Sequence, residues 1–336
     1  MNRRTGEVIC EQLLADRIVN FLYSGQREDP GLLQRALASG RVTDWLAHWE
    51  FDRTLANPDR ALRKAVARLG IDVTEMLDPL ESLSSYRELF ERRIRYWQVR
   101  PLPLEQGCVV SPADGKVLPF TTTRDTALPV KTRFLSVAAI LGETNPWSRW
   151  PDLPLAGVVV RLTPDVYHYT HAPVAGVVRR HVLVEGAFHS CNPTALTMFP
   201  RSYAVNRRAI TVYDTDVEGG TQVGLVVQVD VAAMMIGRIE SRFSAVEYRD
   251  PKPVVTGQFV PRGAPVSLFR PGSSTSIVFW DARRASLERE LVANARRGDL
   301  RSRFSDWLGS PWVETFVRVR EAVSEPRCSQ ETTSCP

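Results

Sequence analysis

Two prolines, Pro101 and Pro103, divide the chain into stretches that cannot share one architecture. On their N-terminal side, apolar residues recur at helical spacing. On their C-terminal side they gather into short β-type runs separated by Gly and Pro, namely Val109-Val110, Val158–Leu162, Ile210–Tyr213 and Val223–Val229. Runs of that kind are the pattern of a largely antiparallel sheet or sandwich. After Trp280 helical spacing returns. The expected fold is therefore α+β: a helical region over residues 1–100, a β-rich core over 101–280, and a helical C-terminal extension with a polar tail over 281–336.

Within the first region, Leu13, Leu14, Ile18, Phe21 and Leu22 share one helical face, and Leu62, Val66 and Leu69 share a second, with Pro30 and Pro58 as punctuation. Such faces either pack on their own domain or lie in a membrane interface with basic residues at the head groups. The helix expected from Tyr86 ends at Arg100-Pro101. Its arginines Arg92, Arg93, Arg95 and Arg100 form either a solvated face or a dock for anionic head groups. In the C-terminal extension, Phe304, Trp307 and Leu308, then Trp312, Phe316, Val319 and Val323, form an apolar helical stripe suited to a core or to a homodimer interface. The residues from Ser324 to Pro336 read as a frayed tail.

Composition limits the partners. With 43% hydrophobic and 24% charged residues in 336, the chain can bury a substantial core and is not disordered as a whole. A net charge of +5 suits an anionic membrane surface or an acidic ligand, whereas no nucleic-acid-binding motif accompanies it, so no nucleic acid is expected. Cys10, Cys108, Cys191, Cys328 and Cys335 are scattered and odd in number, which fits a reducing compartment better than a disulfide framework. Acidic residues interrupt any signal-peptide core near the N-terminus, and no apolar run approaches the roughly 20 residues of a membrane span. The expectation is a cytoplasmic protein, peripheral on the membrane.

Two of the five histidines stand in Tyr167-His168-Tyr169-Thr170-His171-Ala172-Pro173. No acidic or cysteine partner completes a metal site, and Pro164 and Pro173 exclude the long helix of an HExxH motif, so no metal is expected. Imidazoles so close together, between strands, are either satisfied packing residues or acid/base groups. Ser111-Pro112-Ala113-Asp114-Gly115 is a turn that either makes a hairpin or holds Asp114 where a carboxylate can orient a histidine. In Phe269–Thr275, Gly272 and Ser273 form either an ordinary β-turn or a bond at which Ser273 reacts. Asp114, His171 and Ser273 together supply the residue types of a carboxylate–imidazole–hydroxyl relay. No GxSxG elbow is present, which leaves room for a different nucleophilic target.

In order and spacing, Ser111-Pro112-Ala113-Asp114-Gly115, Tyr167–Pro173 and Gly272-Ser273-Ser274 resemble the motifs of the phosphatidylserine decarboxylases. Softer matches lie between them, at Lys131–Ser136 through Leu141-Gly142, at Gly186–Phe188 through Asn192-Pro193, and at Ile236–Ile239. The similarity runs from about Tyr86 to Trp280.

The resemblance implies a self-processing enzyme. His171, helped by Asp114, would activate Ser273 Oγ against the carbonyl of Gly272, leaving a β chain 1–272 and an α chain 273–336 that stay associated. The new N-terminus would become a covalent pyruvoyl group, the cofactor, which forms a Schiff base with a substrate amine and accepts the electrons left by CO2. His168 would help in decarboxylation or in protonating the carbanion. The implied reaction converts phosphatidylserine to phosphatidylethanolamine. The alternatives are the same chemistry on a soluble amino acid or small-molecule intermediate, and a binding homologue that does not cleave. Four departures from the family pattern bear on the substrate: Ser274 for the commoner Thr, Arg207 for a Glu within Asn206–Ala209, Gly263–Ser267 without the family's acids and one of its glycines, and a longer tail beyond Trp280.

Overall fold

Asn57 opens the first described helix by accepting the Arg60 amide on its side chain at 3.1 Å, with Pro58 in the first turn, where its missing amide costs nothing. That helix, α1 (Pro58–Leu69), is followed by the single turns α2 (Tyr86–Phe90) and α3 (Tyr96–Val99). The protein is represented by a computed structural model that describes residues 1–8, 55, 57–122, 137–142, 154–189, 202–233, 238–272, 274–302 and 311–326. Leu62 turns the apolar face of α1 against Ile71, Met76, Leu80 and Leu89. This face is therefore covered by its own chain rather than by lipid. The Leu13–Leu22 face lies outside the described residues.

After Pro103 the β-rich expectation holds. Strands β1 (Gly115–Thr122), β2 (Leu155–Leu162), β3 (Tyr169–His171), β4 (Gly176–Val184), β5 (Arg208–Asp214), β6 (Leu225–Ala232), β7 (Ile239–Ser241), β8 (Phe259–Val260), β9 (Pro265–Phe269) and β10 (Ser274–Asp281) follow in order. Beyond them lie β11 (Ala285–Leu287), β12 (Thr315–Val317) and β13 (Ser324–Pro326). Eight strands form one sheet in the order β12-β1-β2-β10-β6-β5-β4-β8, with every neighbouring pair antiparallel. A smaller sheet has the order β3-β9-β7.

The period of two in β10 separates its two faces. Val278 and Trp280 join Val266 and Phe269 of the small sheet in one core cluster. Ile277 and Phe279 point the other way, into a cluster with Ile140, Leu141 and Tyr203. These last residues belong to two short helices, α4 (Val137–Leu141) and α5 (Ser202–Val205). Every residue of β10 is buried, so the strand that starts beside Ser273 lies at the centre of the molecule's largest sheet.

The C-terminal extension departs from expectation. Among its described residues it is helical only at α6 (Arg289–Ala295). Trp312, Phe316, Val319 and Val323 do not form a helical stripe. Positive φ at Trp312 (42°) and Arg320 (72°) breaks any helix through them, and their backbone amides bond elsewhere: Phe316 N to Met1 O at 2.6 Å and Val323 N to Val109 O at 2.9 Å. Apolar spacing of three and four residues was met here by strand, turn and strand. Ser324–Pro326 pair with β11 instead of fraying, while Phe304, Trp307, Leu308 and residues 327–336 lie outside the described residues.

Candidate active site

Strand β3 carries His171 into a fully buried position, with its backbone amide on Pro112 O at 2.7 Å. The two motifs that the sequence separates by more than fifty residues are thereby joined directly. Both ring nitrogens of His171 are bonded: Nδ1 to Gly263 O at 2.8 Å and Nε2 to the Tyr167 hydroxyl at 2.9 Å. A carbonyl can only accept, so Nδ1 carries the proton and Nε2 presents its lone pair to the phenol. Burial pushes the His171 pKa down to about 3, although the Gly263 bond and the Asp114 charge favour the charged form. Gly263 is required at this turn. Its φ is +74°, and a Cβ there would sit 2.8 Å from Arg320 Nε and 2.9 Å from Leu102 Cδ2.

His168, three residues earlier, is also fully buried, but it differs in every polar respect. Its ring stacks on Phe90 with centroids 3.6 Å apart. Neither nitrogen has a well-formed hydrogen bond among the described residues, and the Val166 backbone only slightly favours the charged form. Burial, reinforced by the nearby Arg92 cation, drives its pKa well below the ordinary value. Two further hydroxyls without partners among the described residues, Ser274 Oγ and Thr275 Oγ1, lie at the start of β10. A buried polar atom without a partner costs about 1–3 kcal/mol, so each of these fits a position that takes up a polar group.

Asp114 is buried, and Arg100 meets it with two bonds, Nε to Oδ1 at 3.1 Å and Nη2 to Oδ2 at 2.8 Å; Val319 N donates to Oδ1 at 2.7 Å. Arg100 also grips Glu75 through two bonds of 2.8 Å. The expected carboxylate–imidazole hydrogen bond is thus not present in this arrangement. Asp114 acts on His171 through its charge, while Gly263 and Tyr167 hold the ring. The arginines also have partners within the chain. Arg92 is buried on Leu89 O and Asp165 O, Arg93 pairs with Asp78, and Arg95 donates to Thr74 O.

Gly272 has φ of 146°, a conformation that side chains disfavour, immediately before the proposed reacting residue. Ser273 itself lies outside the described residues. Strand β9 ends at Phe269 and β10 begins at Ser274, so only Arg270–Ser273 link the small sheet to the large one. Phe269 N donates to His168 O at 3.1 Å, which puts the histidine strand against the strand leading into that link.

Residues 86–297 match the family model for phosphatidylserine decarboxylase. The chain belongs to the phosphatidylserine decarboxylase family. Its similarity extends beyond that span. A Chlamydia muridarum protein is 28% identical over 314 residues, covering 92% of this chain and 96% of the relative. One from Fusobacterium nucleatum is 23% identical over 299 residues, covering 88% and 91%, and one from Bordetella petrii is 28% identical over 287 residues, covering 82% and 89%. Each bears the name phosphatidylserine decarboxylase proenzyme.

Against that family background, the sequence did not single out Tyr248 and Asp230, and it named Gly263 and Arg100 without the roles they have here. Asp230 is buried between the two sheets and accepts from Thr170, Ser267, Ser276 and Gln228, at 2.9, 2.8, 2.6 and 3.1 Å. Thr170 adjoins His171 and Ser276 lies in β10, so this carboxylate ties the histidine strand to the strand that follows Ser273. Its position in an otherwise apolar alternation, Val229-Asp230-Val231, was the one available signal.

Proposed function

We propose that this chain is a self-processing phosphatidylserine decarboxylase that releases CO2 and forms phosphatidylethanolamine. The pairing of β3 with β9 supports this reading, because it sets His168 against Phe269, three residues before Gly272, with His171 farther along the same strand opposite Pro265. In maturation, Ser273 Oγ bonds to the Gly272 carbonyl carbon and the Gly272–Ser273 C–N bond breaks. The proton lost by Oγ ends on the freed amine, with His171, kept neutral by burial, as the base that carries it. Loss of the Ser273 Cα proton would then break the Cβ–Oγ bond and release the Gly272 carboxylate, and water would convert the resulting dehydroalanine end to the pyruvoyl group with loss of ammonia. The absence of a side chain at Gly272 allows the close approach that this attack requires.

The processed Ser273 would supply a pyruvoyl carbonyl, an electron acceptor for the pair left when CO2 departs. Among the described residues the nitrogens of His168 and the hydroxyls of Ser274 and Thr275 have no partner, and of these residues His168 is the one able to hold or deliver a proton to such a group. The core excludes water from this region, since the whole of β10 is buried. The two products of cleavage would stay together. Strand β10 is hydrogen-bonded to β2 and β6, β12 to β1, and Asn2 bridges Phe316, so strands from both pieces interleave.

Phosphatidylserine as substrate, and with it contact with an anionic membrane surface, rests on the relatives' names. Intact mass of the purified protein tests the maturation step: two fragments are expected, and Ser273→Ala is expected to remain one 37.8 kDa chain. A wild-type protein found whole would overturn the reading. Release of CO2 from phosphatidylserine vesicles, compared with free serine and aromatic amino acids, tests the substrate.

A further inference from the structure

Tyr248 lies 81 residues from Tyr167 in sequence, yet their hydroxyls are 2.8 Å apart. Tyr248 Oη also accepts Ile94 N–H at 3.1 Å and lies 2.9 Å from Ile94 O. The result is a continuous chain of polar atoms from Gly263 O through His171, Tyr167 and Tyr248 to the Ile94 peptide. We propose that Tyr167 and Tyr248 form a reversible hydrogen-bond relay that orients His171 and accommodates the proton it takes up. This rests on His171 acting as the base in self-cleavage.

The donors can be counted in both protonation states. With neutral His171, Ile94 N–H donates to Tyr248, Tyr248 O–H to Tyr167, Tyr167 O–H to Nε2, and Nδ1–H to Gly263 O. Ile94 O is then satisfied by Tyr96 N at 2.8 Å. A proton reaching His171 arrives across the Tyr167 oxygen: Tyr167 receives one proton and passes its own to Nε2. The two hydroxyl hydrogens then turn round, so that Nε2–H donates to Tyr167, Tyr167 to Tyr248, and Tyr248 to Ile94 O, whose second lone pair is free for it. One proton enters, one is held, and no heavy atom moves. The imidazolium therefore leaves no donor facing another donor.

The remaining groups around the ring do not provide this service. Tyr96 packs edge-on at 4.7 Å and its hydroxyl donates to Glu247 O. Arg320 sits 5.0 Å over the Tyr96 ring, and its charge, like that of Arg100, opposes an imidazolium. Asp114 favours the imidazolium but has its oxygens occupied by Arg100 and Val319 N. Burial keeps the Tyr167 and Tyr248 phenols far from ionisation, so each passes on a proton without becoming an anion.

Full-length precursor made by cell-free synthesis and followed on denaturing gels across a pH series gives the test. Tyr248→Phe keeps the ring but removes the acceptor that Tyr167 needs when His171 is charged. Cleavage should slow about tenfold, the worth of one net hydrogen bond, and the acid limb of its pH profile should move to lower pH. Tyr96→Phe removes a hydroxyl bond from the same aromatic cluster and should leave that limb in place. Incorporating 3,5-difluorotyrosine at 248 changes packing least and should move the limb in the same direction, which decides the matter if Tyr248→Phe does not fold. An unmoved limb in the folded Tyr248 variants would overturn the relay, whatever the rate. Cleavage of His171→Ala at the wild-type rate would instead overturn the underlying role of His171.

Discussion

His168 and His171 stand three residues apart, fully buried and on one short segment, yet they are built for opposite conditions. His171 has both nitrogens committed before any chemistry begins, to Gly263 and Tyr167. His168 has an aromatic neighbour and, among the described residues, no well-formed polar bond. A ring held on both sides has a fixed tautomer and orientation, which suits a reaction of the chain with itself. A ring left unpaired carries an unmet desolvation cost that an arriving polar group can recover. The difference teaches that burial alone does not assign a histidine's role. What decides it is whether the fold has already supplied the partners.

The widest separation between the two should be in self-cleavage. His171→Ala removes the base and is expected to slow cleavage by about 10²–10⁴-fold, whereas His168→Ala should still process and lose turnover. Gel-resolved cleavage alongside CO2 release from phosphatidylserine vesicles measures both, and equal processing defects in the two variants would break the distinction. A smaller contrast concerns stability. His171→Phe leaves Gly263 O and the Tyr167 hydroxyl without their partner in the core and should cost about 2–4 kcal/mol. His168→Phe preserves the stack on Phe90 and buries no unpaired nitrogen, so its effect should stay within about 1 kcal/mol, on the stabilising side. Urea unfolding of both, in an unprocessed Ser273→Ala background, checks the signs.

Much of this was legible in the sequence because it was local. Continuous β runs after Pro103 marked the sheet, and Pro58 marked the start of α1. The Asp114, His168 and His171 motifs could be read from turn chemistry and order. What could not be read is what depends on distant chain. Tyr248 reaches Ile94 across 154 residues, and Val319 reaches Asp114 across 205, and neither position carries a local pattern that announces the contact. The same holds for Arg100, which looked like part of a solvated or lipid-facing stretch and instead neutralises Asp114 and Glu75 in the interior. The C-terminal stripe misled for a related reason. Spacing of three and four marks which residues face inward, and an irregular strand–turn–strand path can satisfy it as well as a helix when its amides find partners on Met1 and Val109.

The smallest expected effect is also the most direct measure of whether both rings are neutral. Burial lowers the pKa of His168 and of His171 in the folded chain, whereas in the unfolded chain each titrates near the ordinary histidine value of about 6.5. Below that value the unfolded state gains protons that the folded state does not, so stability present above pH 6.5 is lost as pH falls, down to the folded value, about 3 for His171. Each ring should contribute about 1.4 kcal/mol per pH unit through that window. His181 and His189, also lowered by burial, add in the same direction. Carboxylates such as Asp72, held below their ordinary range by Thr74, contribute only at lower pH. Unfolding free energies of the Ser273→Ala chain between pH 6 and 5 should therefore fall less steeply by one histidine's share when His168 becomes Phe. An unchanged slope would mean that His168 is already charged in the folded chain. It would then have a polar partner, and the contrast with His171 would disappear.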